Sequence, residues 1–304
     1  MARMVPSLKT PAGRSALVAC FAVVACSAAP PAGRCENADV DPTDSVVGFT
    51  GYYVLPGTPA GFVLSPAPIG PRPPFVLSHG RRDVKRVALT FDACSAPTHG
   101  TYNERVTEIL ESTGTPATIF IGGRWALDSP DHVIHLASLP NIEIANHGWA
   151  HRNLVGASAA EIRREIGQAQ DVLFTLTGRP PRLFRPPFAE YDANTVRIAG
   201  ELGLVIGQYD VASGDPDQRF TPKILTRWVI DSVKNGSIIV MHINRRGWHT
   251  ADALPDIIGE LTARGFEFVT ASQLLDELPV EESADPRGAC RRSNVDAHTW
   301  PEPY

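Results

Sequence analysis

The 304-residue sequence lacks an excess of basic residues. It contains 28 Lys and Arg against 33 Asp and Glu, which gives a formal net charge of −5. No block of basic residues is interleaved with aromatic side chains, the pattern typical of a surface that binds a polyanion. We therefore expect no nucleic-acid partner.

Long apolar runs are missing after residue 30, so no membrane-spanning segment is expected in the mature protein. The N-terminus has the form of an export signal, with three basic residues before a short apolar run at 16–25. Val23–Cys26 is similar to a bacterial lipoprotein signal, with Cys26 lipidated; ordinary signal-peptidase cleavage is the alternative. We predict a bacterial envelope lipoprotein or a secreted or periplasmic protein, with membrane contact only through a lipid on Cys26.

Cysteine is scarce, with five residues in the chain. If the signal is removed and Cys26 is lipidated, Cys35, Cys94 and Cys290 remain, which allows one disulfide and one free thiol. A Cys35–Cys290 bridge would join the two tails, but the sequence leaves the pairing open. Nothing in the sequence predicts an oligomer.

The composition predicts four segments. After the signal at 1–26, residues 27–83 are rich in proline, glycine and alanine, which predicts an extended linker whose later, aromatic-containing part packs on the domain. Strands and helices alternate over 84–278 and predict a parallel α/β sheet, open or closed into a barrel. The charged segment 279–304 is predicted to be a tail. The predicted strands are Lys85–Phe91, Ala117–Ile121, Ile142–Ala145, Arg182–Phe184, Leu204–Gln208, Ser237–Met241 and Phe266–Val269.

Ionisable side chains follow five of these strands at their carboxyl ends. They are Asp92, His147 with His151, Arg185, Asp210 and His242. Because the carboxyl ends of parallel strands meet at one edge of the sheet, we expect these side chains to share a site. The H-x3-H spacing of His147 and His151 is that of a metal-ligand pair, since imidazole is a common ligand of zinc and related ions.

The ordered motifs TFD, H-x3-H, RPPF, D and MH resemble those of the polysaccharide deacetylases of carbohydrate esterase family four, the NodB-homology domain. The resemblance covers about Val84–Leu278. It implies a distorted (β/α)7 barrel that removes N-acetyl groups, sometimes O-acetyl groups, from a glycan. It also implies a divalent metal ion, with Zn²⁺ as the expected ion and Co²⁺ or another divalent ion as the alternative.

The resemblance also assigns roles to residues of this chain. It makes Asp92 the general base, His147 and His151 metal ligands, and Arg185 the group that keeps Asp92 ionised and oriented. It makes His242 the general acid that protonates the leaving amine, and it makes Asp210 the carboxylate that pairs with His242.

Three positions depart from the family pattern. Ala93 stands where the family has an aspartate that is the third metal ligand. Phe188 replaces a frequent tyrosine, a smaller change if the backbone N–H supplies the oxyanion contact. Asp215-Pro216 occupies the place of a tryptophan that lines the acetyl pocket.

The substitution at position 93 leaves the third metal ligand open. Asp92 is the preferred substitute, and the thiolate of Cys94 or the imidazole of His99 are the alternatives. Cys94 lies two residues after Asp92, so in an extended chain both side chains point the same way.

Two functions are compatible with this sequence. The first is a metal-dependent deacetylase acting on an envelope or extracellular glycan, with peptidoglycan, a chitin-like polymer and an exopolysaccharide not distinguished. The second is a non-catalytic glycan-binding lipoprotein that has lost turnover because of Ala93. Trp248 and His249, in the loop after the sixth predicted strand, either contact substrate or pack on the surface.

Overall fold

Strands and helices alternate along residues 62–68, 70–94 and 102–279, the part of the chain that the computed structural model describes. The strands are β1 (Val76–Leu77), β2 (Arg86–Ala93), β3 (Ala117–Ile121), β4 (Ile142–Asn146), β5 (Leu183–Phe184), β6 (Val205–Gly207), β7 (Val211–Ala212), β8 (Ser237–His242) and β9 (Glu267–Phe268). The helices are α1 (Glu104–Thr113), α2 (Gly123–Asp128), α3 (Pro130–Ser138), α4 (Ala159–Thr177), α5 (Ala193–Glu201), α6 (Pro222–Ser232), α7 (Thr250–Ala263) and α8 (Ala271–Asp276).

These strands form one sheet in which every pairing between them is parallel. The strand order is β1-β6-β5-β4-β3-β2-β8-β7, and β9 pairs with the start of β2. The sheet curls into an incomplete barrel flanked by helices. The predicted fold class, a distorted β/α barrel of the NodB type, is confirmed.

Strand β2 carries Asp92 and lies in the middle of the sheet. Its last seven residues are all buried, as expected for a parallel strand covered on both faces. β3 pairs with it on one side and β8 on the other. In the β2–β8 register Asp92 is the partner of His242, so the predicted base and acid are neighbours across two strands.

The packed unit begins before residue 84, the predicted domain boundary. Strand β1 lies inside the predicted linker and pairs in parallel with β6. Leu64, Phe75 and Leu77 are buried in the hydrophobic core. Packing of the later linker on the domain was predicted. Its contribution of a strand was not, because β1 lies in a proline-rich segment that was assigned to the linker.

The long helix α4 begins and ends at residues that cap its free backbone groups. Ser158 accepts a hydrogen bond from the backbone N–H of Glu161, whose side chain accepts one from the backbone N–H of Ser158. The helix ends at Gly178, whose φ of +69° is the left-handed conformation that glycine adopts without strain. The helix is therefore closed by a capping box at its start and by a glycine cap at its end.

Within the described ranges, no helix combines the length and the apolar character needed to cross a bilayer. The predicted export signal, the lipidation site Cys26 and the Cys35–Cys290 disulfide all lie outside the described residues. So does the predicted tail 279–304 beyond its first residue.

Candidate active site

The carboxyl ends of β2 and β8 and the loops after β4, β5 and β7 surround a cavity of about 190 Å³. The cavity is lined by Asp92, His147, His151, Arg185 and His242, together with Phe188, Tyr209, Asp215, Arg246 and the backbone between them. Five of the six side chains predicted to share a site therefore do so. Asp210 does not line the cavity.

A buried ion pair fixes the Asp92 carboxylate. Nη1 of Arg185 donates to Asp92 Oδ1 at 2.7 Å, and the two side chains are about 1% and 10% exposed. The remaining donors of the guanidinium bind Thr90 Oγ1 at 2.9 Å and the backbone oxygens of Gly207 and Gln208. Burial alone would raise the pKa of Asp92, but the charges of Arg185, His147 and His242 together outweigh it and lower that pKa. Asp92 is thus held ionised.

The second carboxylate oxygen of Asp92 faces the histidines. Oδ2 lies 3.8 Å from His147 Nε2, which is beyond hydrogen-bond distance. Arg185 therefore binds one oxygen of the carboxylate, and the other is turned toward the cavity, where it can accept a proton.

The loop after β4 places the two imidazoles. Asn146, at the end of β4, is fully buried and accepts a hydrogen bond from the backbone N–H of Gly148 at 2.8 Å. Glu165 on α4 accepts one from the backbone N–H of Ala150 at 2.5 Å. His151 has a φ of +55°, a conformation rare for a residue with a side chain. The loop is thus built to turn both rings to the same place, with centroids 5.1 Å apart.

Both histidines are neutral bases in this setting. Nδ1 of His147 lies 2.8 Å from the backbone oxygen of Arg185; a carbonyl only accepts, so Nδ1 carries the proton and Nε2 keeps its lone pair. Burial lowers the pKa of His147. Burial, followed by His147 and Arg246, lowers the pKa of His151 to about 4. Unprotonated imidazole is the form that binds a metal ion.

Cys94, not Asp92, is the third side chain grouped with the two histidines. One ligand atom from each of Cys94, His147 and His151 lies within 4.8 Å of the other two. Cys94 is a free thiol and is buried. Burial raises its pKa, an effect that Arg246 partly offsets. Asp92 as substitute ligand stays a prediction, and His99 lies outside the described residues.

The partner of His242 is Asp215, so the predicted pairing with Asp210 is wrong. Nδ1 of His242 lies 2.9 Å from Asp215 Oδ1. The other carboxylate oxygen accepts from the backbone N–H of His242 at 2.6 Å and from the hydroxyl of Thr250 at 2.7 Å. Burial lowers the pKa of His242, but Asp215, joined by Asp92, outweighs it and raises that pKa. His242 is thus held as a proton donor.

Asp210 is at the opposite end of β8. Its carboxylate accepts from the backbone N–H of Ile238 and the hydroxyl of Ser237, and it pairs with Arg82 at 2.7 Å. Ile238 and His242 are four residues apart, about 13 Å along a strand. The error arose because β7 was not predicted: Asp210 precedes this short strand, whereas Asp215 follows it.

The polar residues that support the site were not predicted from the sequence. Asp215 was noted only as a departure from the family pattern, and Thr250, Asn146 and Glu165 were not singled out. A signal existed for Asp215, since it is followed by proline in a glycine-containing segment typical of a loop after a strand. The support from helices α4 and α7 has no local signal because it depends on tertiary contact.

Two exposed aromatic side chains flank the cavity. Phe188, in the turn after β5, has a φ of +61° and packs its ring edge-on to His151 at 4.7 Å between centroids. Trp248 borders a wider depression of about 580 Å³ that shares Gly214 and Pro216 with the cavity. About half of each aromatic side chain is accessible to solvent.

Comparison with known proteins identifies the class. Residues 79–207 match the sequence profile described as polysaccharide deacetylase. This match, together with the relatives and solved structures described below, confirms the resemblance to the polysaccharide deacetylases of carbohydrate esterase family four that was drawn from the motifs.

Two curated relatives are peptidoglycan deacetylases. The peptidoglycan-N-acetylglucosamine deacetylase PgdA of Listeria monocytogenes is 31% identical over 195 residues, which are 64% of this chain and 39% of that protein. The peptidoglycan-N-acetylmuramic acid deacetylase PdaC of Bacillus subtilis is 31% identical over 62% of this chain and 38% of that protein. The matched region is thus less than half the length of these relatives.

Similar solved structures include both an enzyme and a pseudoenzyme. The peptidoglycan N-acetylglucosamine deacetylase Bc1960 superimposes with a TM-score of 0.60 at 28% identity, covering 65% of this chain and 91% of that one. BA3943, described as a family-four pseudoenzyme from Bacillus anthracis, has a TM-score of 0.61 at 27% identity, covering 67% of this chain and 70% of that one.

Proposed function

We propose that this protein is a metal-dependent N-deacetylase of an acetylated bacterial envelope glycan. The observation that carries the proposal is that a carboxylate suited to act as a base and an imidazole suited to act as an acid lie on the neighbouring strands β2 and β8. Asp92 is held ionised by Arg185, and His242 is held protonated by Asp215, with two neutral imidazoles beside them. A base and an acid with separated pKa values are what hydrolysis of an amide requires.

The donor set fits a divalent metal ion. Nε2 of His147 has its lone pair free because Nδ1 is committed to the Arg185 carbonyl, and the depressed pKa of His151 leaves its imidazole unprotonated at neutral pH. His147 and His151 would hold the ion, and zinc matches such nitrogen donors. When bound, the ion supplies a Lewis acid that polarises the acetyl carbonyl and lowers the pKa of water.

Asp92 acts on the attacking water. Its Oδ2 faces the cavity and accepts the proton of that water as the oxygen attacks the acetyl carbon. Arg185 remains bound to Oδ1 through this transfer, so it fixes the direction in which Oδ2 points. The buried guanidinium keeps the carboxylate ready as a base across the neutral range.

His242 acts on the leaving group. An amine departs poorly as an anion, so the amide nitrogen must gain a proton as its bond to the acetyl carbon breaks. The imidazolium donates this proton from Nε2, since Nδ1 is bound to Asp215. Asp215 stabilises the imidazolium and fixes its orientation, and the Thr250 hydroxyl in turn holds Asp215.

The substrate class follows from the relatives. PgdA and PdaC are named for action on two different sugars of peptidoglycan, so an N-acetylated wall glycan is the first substrate to test. Action on such a polymer is consistent with the export signal read from the N-terminus, and we propose that the protein works in the bacterial envelope as a lipoprotein or a secreted protein.

The alternative function is a glycan-binding protein without turnover. Ala93 and the structural similarity to the pseudoenzyme BA3943 favour it. Against it, the Asp92–Arg185 and His242–Asp215 pairs are both intact, and each would be costly to keep buried without a use.

The test is acetate release by the purified full chain. We expect acetate from peptidoglycan fragments or N-acetylglucosamine oligomers, loss of release after chelation, and recovery with Zn²⁺ or Co²⁺. His151→Ala should lose metal and activity together, because one of two imidazole donors is gone. Glycan binding without acetate release from any polymer, with metal present, would establish the pseudoenzyme instead.

Trp248 is proposed to bind sugar rings outside the reaction centre. Its ring is half exposed beside a depression continuous with the cavity, and covering an apolar aromatic face is favourable by about 1.5 kcal/mol. Trp248→Ala should therefore raise KM for oligosaccharides roughly tenfold with little change in kcat. Trp228→Ala is an unsuitable control because that indole donates to the Ala212 carbonyl; Ile134→Ala, exposed on α3, should leave KM unchanged. An unchanged KM for Trp248→Ala would assign the residue to surface packing.

A further inference from the structure

The substitution of alanine at position 93 leaves the site with two imidazoles and an unassigned third donor. We propose that Cys94 is that donor and that the site is a Cys-His-His centre selective for thiophilic ions such as Zn²⁺ and Co²⁺. This inference rests on the proposed function, because it assigns the ligands of the metal that the deacetylase uses.

The strand geometry brings the sulfur to the site. Side chains alternate along β2, and Thr90 and Asp92 lie on one face, where both bind Arg185. Ala93 belongs to the hydrophobic core cluster that also contains Phe91. Cys94 follows the alternation, and its sulfur reaches the same place as the two imidazoles, within 4.8 Å of the ligand atoms of both.

The loop after β8 holds Cys94 in place. The side-chain amide of Asn244 donates to the Cys94 backbone oxygen at 2.9 Å, and Asn244 is fully buried. Arg246 Nη1 lies 3.8 Å from Cys94 Sγ, so a cation stands next to the sulfur. The backbone N–H of Arg246 donates to Asn244 Oδ1 at 3.1 Å, which links the two contacts. These residues position the thiolate rather than bind the metal.

The donor set determines which ions are accepted. Thiolate and imidazole ligands suit zinc and cobalt, whereas magnesium, calcium and manganese prefer carboxylate, carbonyl and water oxygens. The thiol must lose its proton when the metal–sulfur bond forms, so binding releases one proton to solvent for Cys94 and none for the neutral imidazoles.

Cobalt reports directly on sulfur ligation. The metal-free full chain is titrated with Co²⁺, and a thiolate-to-cobalt charge-transfer absorption in the near ultraviolet is expected at one ion per chain. Cys94→Ala should abolish this band and weaken Co²⁺ and Zn²⁺ binding by roughly 100-fold or more, since loss of a supporting partner alone costs 10–100-fold. Cys290→Ser, a cysteine change far from the motif along the sequence, should keep both the band and the affinity.

The outcomes separate the two proposals. Tight Co²⁺ binding without the charge-transfer band, or with the band unchanged in Cys94→Ala, overturns the role of Cys94 and leaves the deacetylase proposal standing. Failure of the wild-type chain to bind Co²⁺ or Zn²⁺ overturns both. Cys94→Ser, which keeps the size of the side chain, separates ligation from packing: if it folds and binds as tightly as wild type, sulfur is not a ligand.

Discussion

Asp215→Asn should lower kcat by about 100-fold or more at neutral pH and shift the basic limb of its pH profile to lower pH. His242 must be protonated to donate to the leaving amine. Burial lowers the pKa of His242 and Asp215 is the largest opposing influence, so loss of the Asp215 charge lowers that pKa. Activity is lost as pH rises through this pKa, so the loss should begin earlier in the variant. The measurement is kcat as a function of pH.

Asp210→Asn is the matched control. It makes the same chemical change five residues earlier in a carboxylate that binds Arg82, Ser237 and the Ile238 backbone at the other end of β8. Its pH profile should keep the wild-type shape even if the protein is less stable. A shifted basic limb in Asp210→Asn with a normal profile in Asp215→Asn would restore the pairing that the motif order first suggested.

Arg185→Met should destabilise the fold by about 3–5 kcal/mol. The change leaves the buried Asp92 carboxylate without its counter-charge and removes hydrogen bonds to Thr90 and two backbone carbonyls. The pKa of Asp92 is lowered in the folded protein, so the stabilisation by the pair is complete above the ordinary carboxyl pKa of about 3.9 and declines as pH falls below it. Urea unfolding at neutral pH measures the difference.

Arg182→Met is the control for this effect. Arg182 makes a bidentate pair with Asp276, but the two side chains are 39% and 55% exposed. Solvent screens such a pair, so its loss should cost less than about 1 kcal/mol. If the two variants were equally stable, the Arg185–Asp92 pair would contribute no more than a surface contact, and a different origin for the ionised base would be needed.

The strands that carry the site were predictable because each has a local signal. β3 was predicted at its observed bounds, and β2 and β8 within two residues, since buried parallel strands are continuous apolar runs between turn residues. Their ends then placed Asp92 and His242 at one edge. The two-residue strands β1 and β7 were missed, although the equally short β5 and β9 were predicted. β1 lies in the proline-rich segment assigned to the linker, and no helix separates β7 from β6.

Missing β7 had a direct consequence for the site. Without that strand, Asp210 seemed to be the first carboxylate beyond a strand end, whereas in the structure it lies beside the first residues of β8. Asp215, beyond β7, makes the contact that Asp210 was expected to make. Register between strands distant in sequence decided which aspartate serves His242.

The stretch TFDAC, residues 90–94, shows the same difference between what the local sequence determines and what the tertiary structure determines. By itself the sequence determined a buried strand that ends in one carboxylate, followed by alanine where the family has a ligand and by a cysteine one residue further. Those features follow from hydrophobic runs and from alternation along a strand, which are local. Only the tertiary structure decided that Cys94 meets His147 and His151, because that meeting depends on a left-handed turn after β4 and on Asn244 in the loop after β8. Long-range packing fixes those positions, and no short segment encodes it.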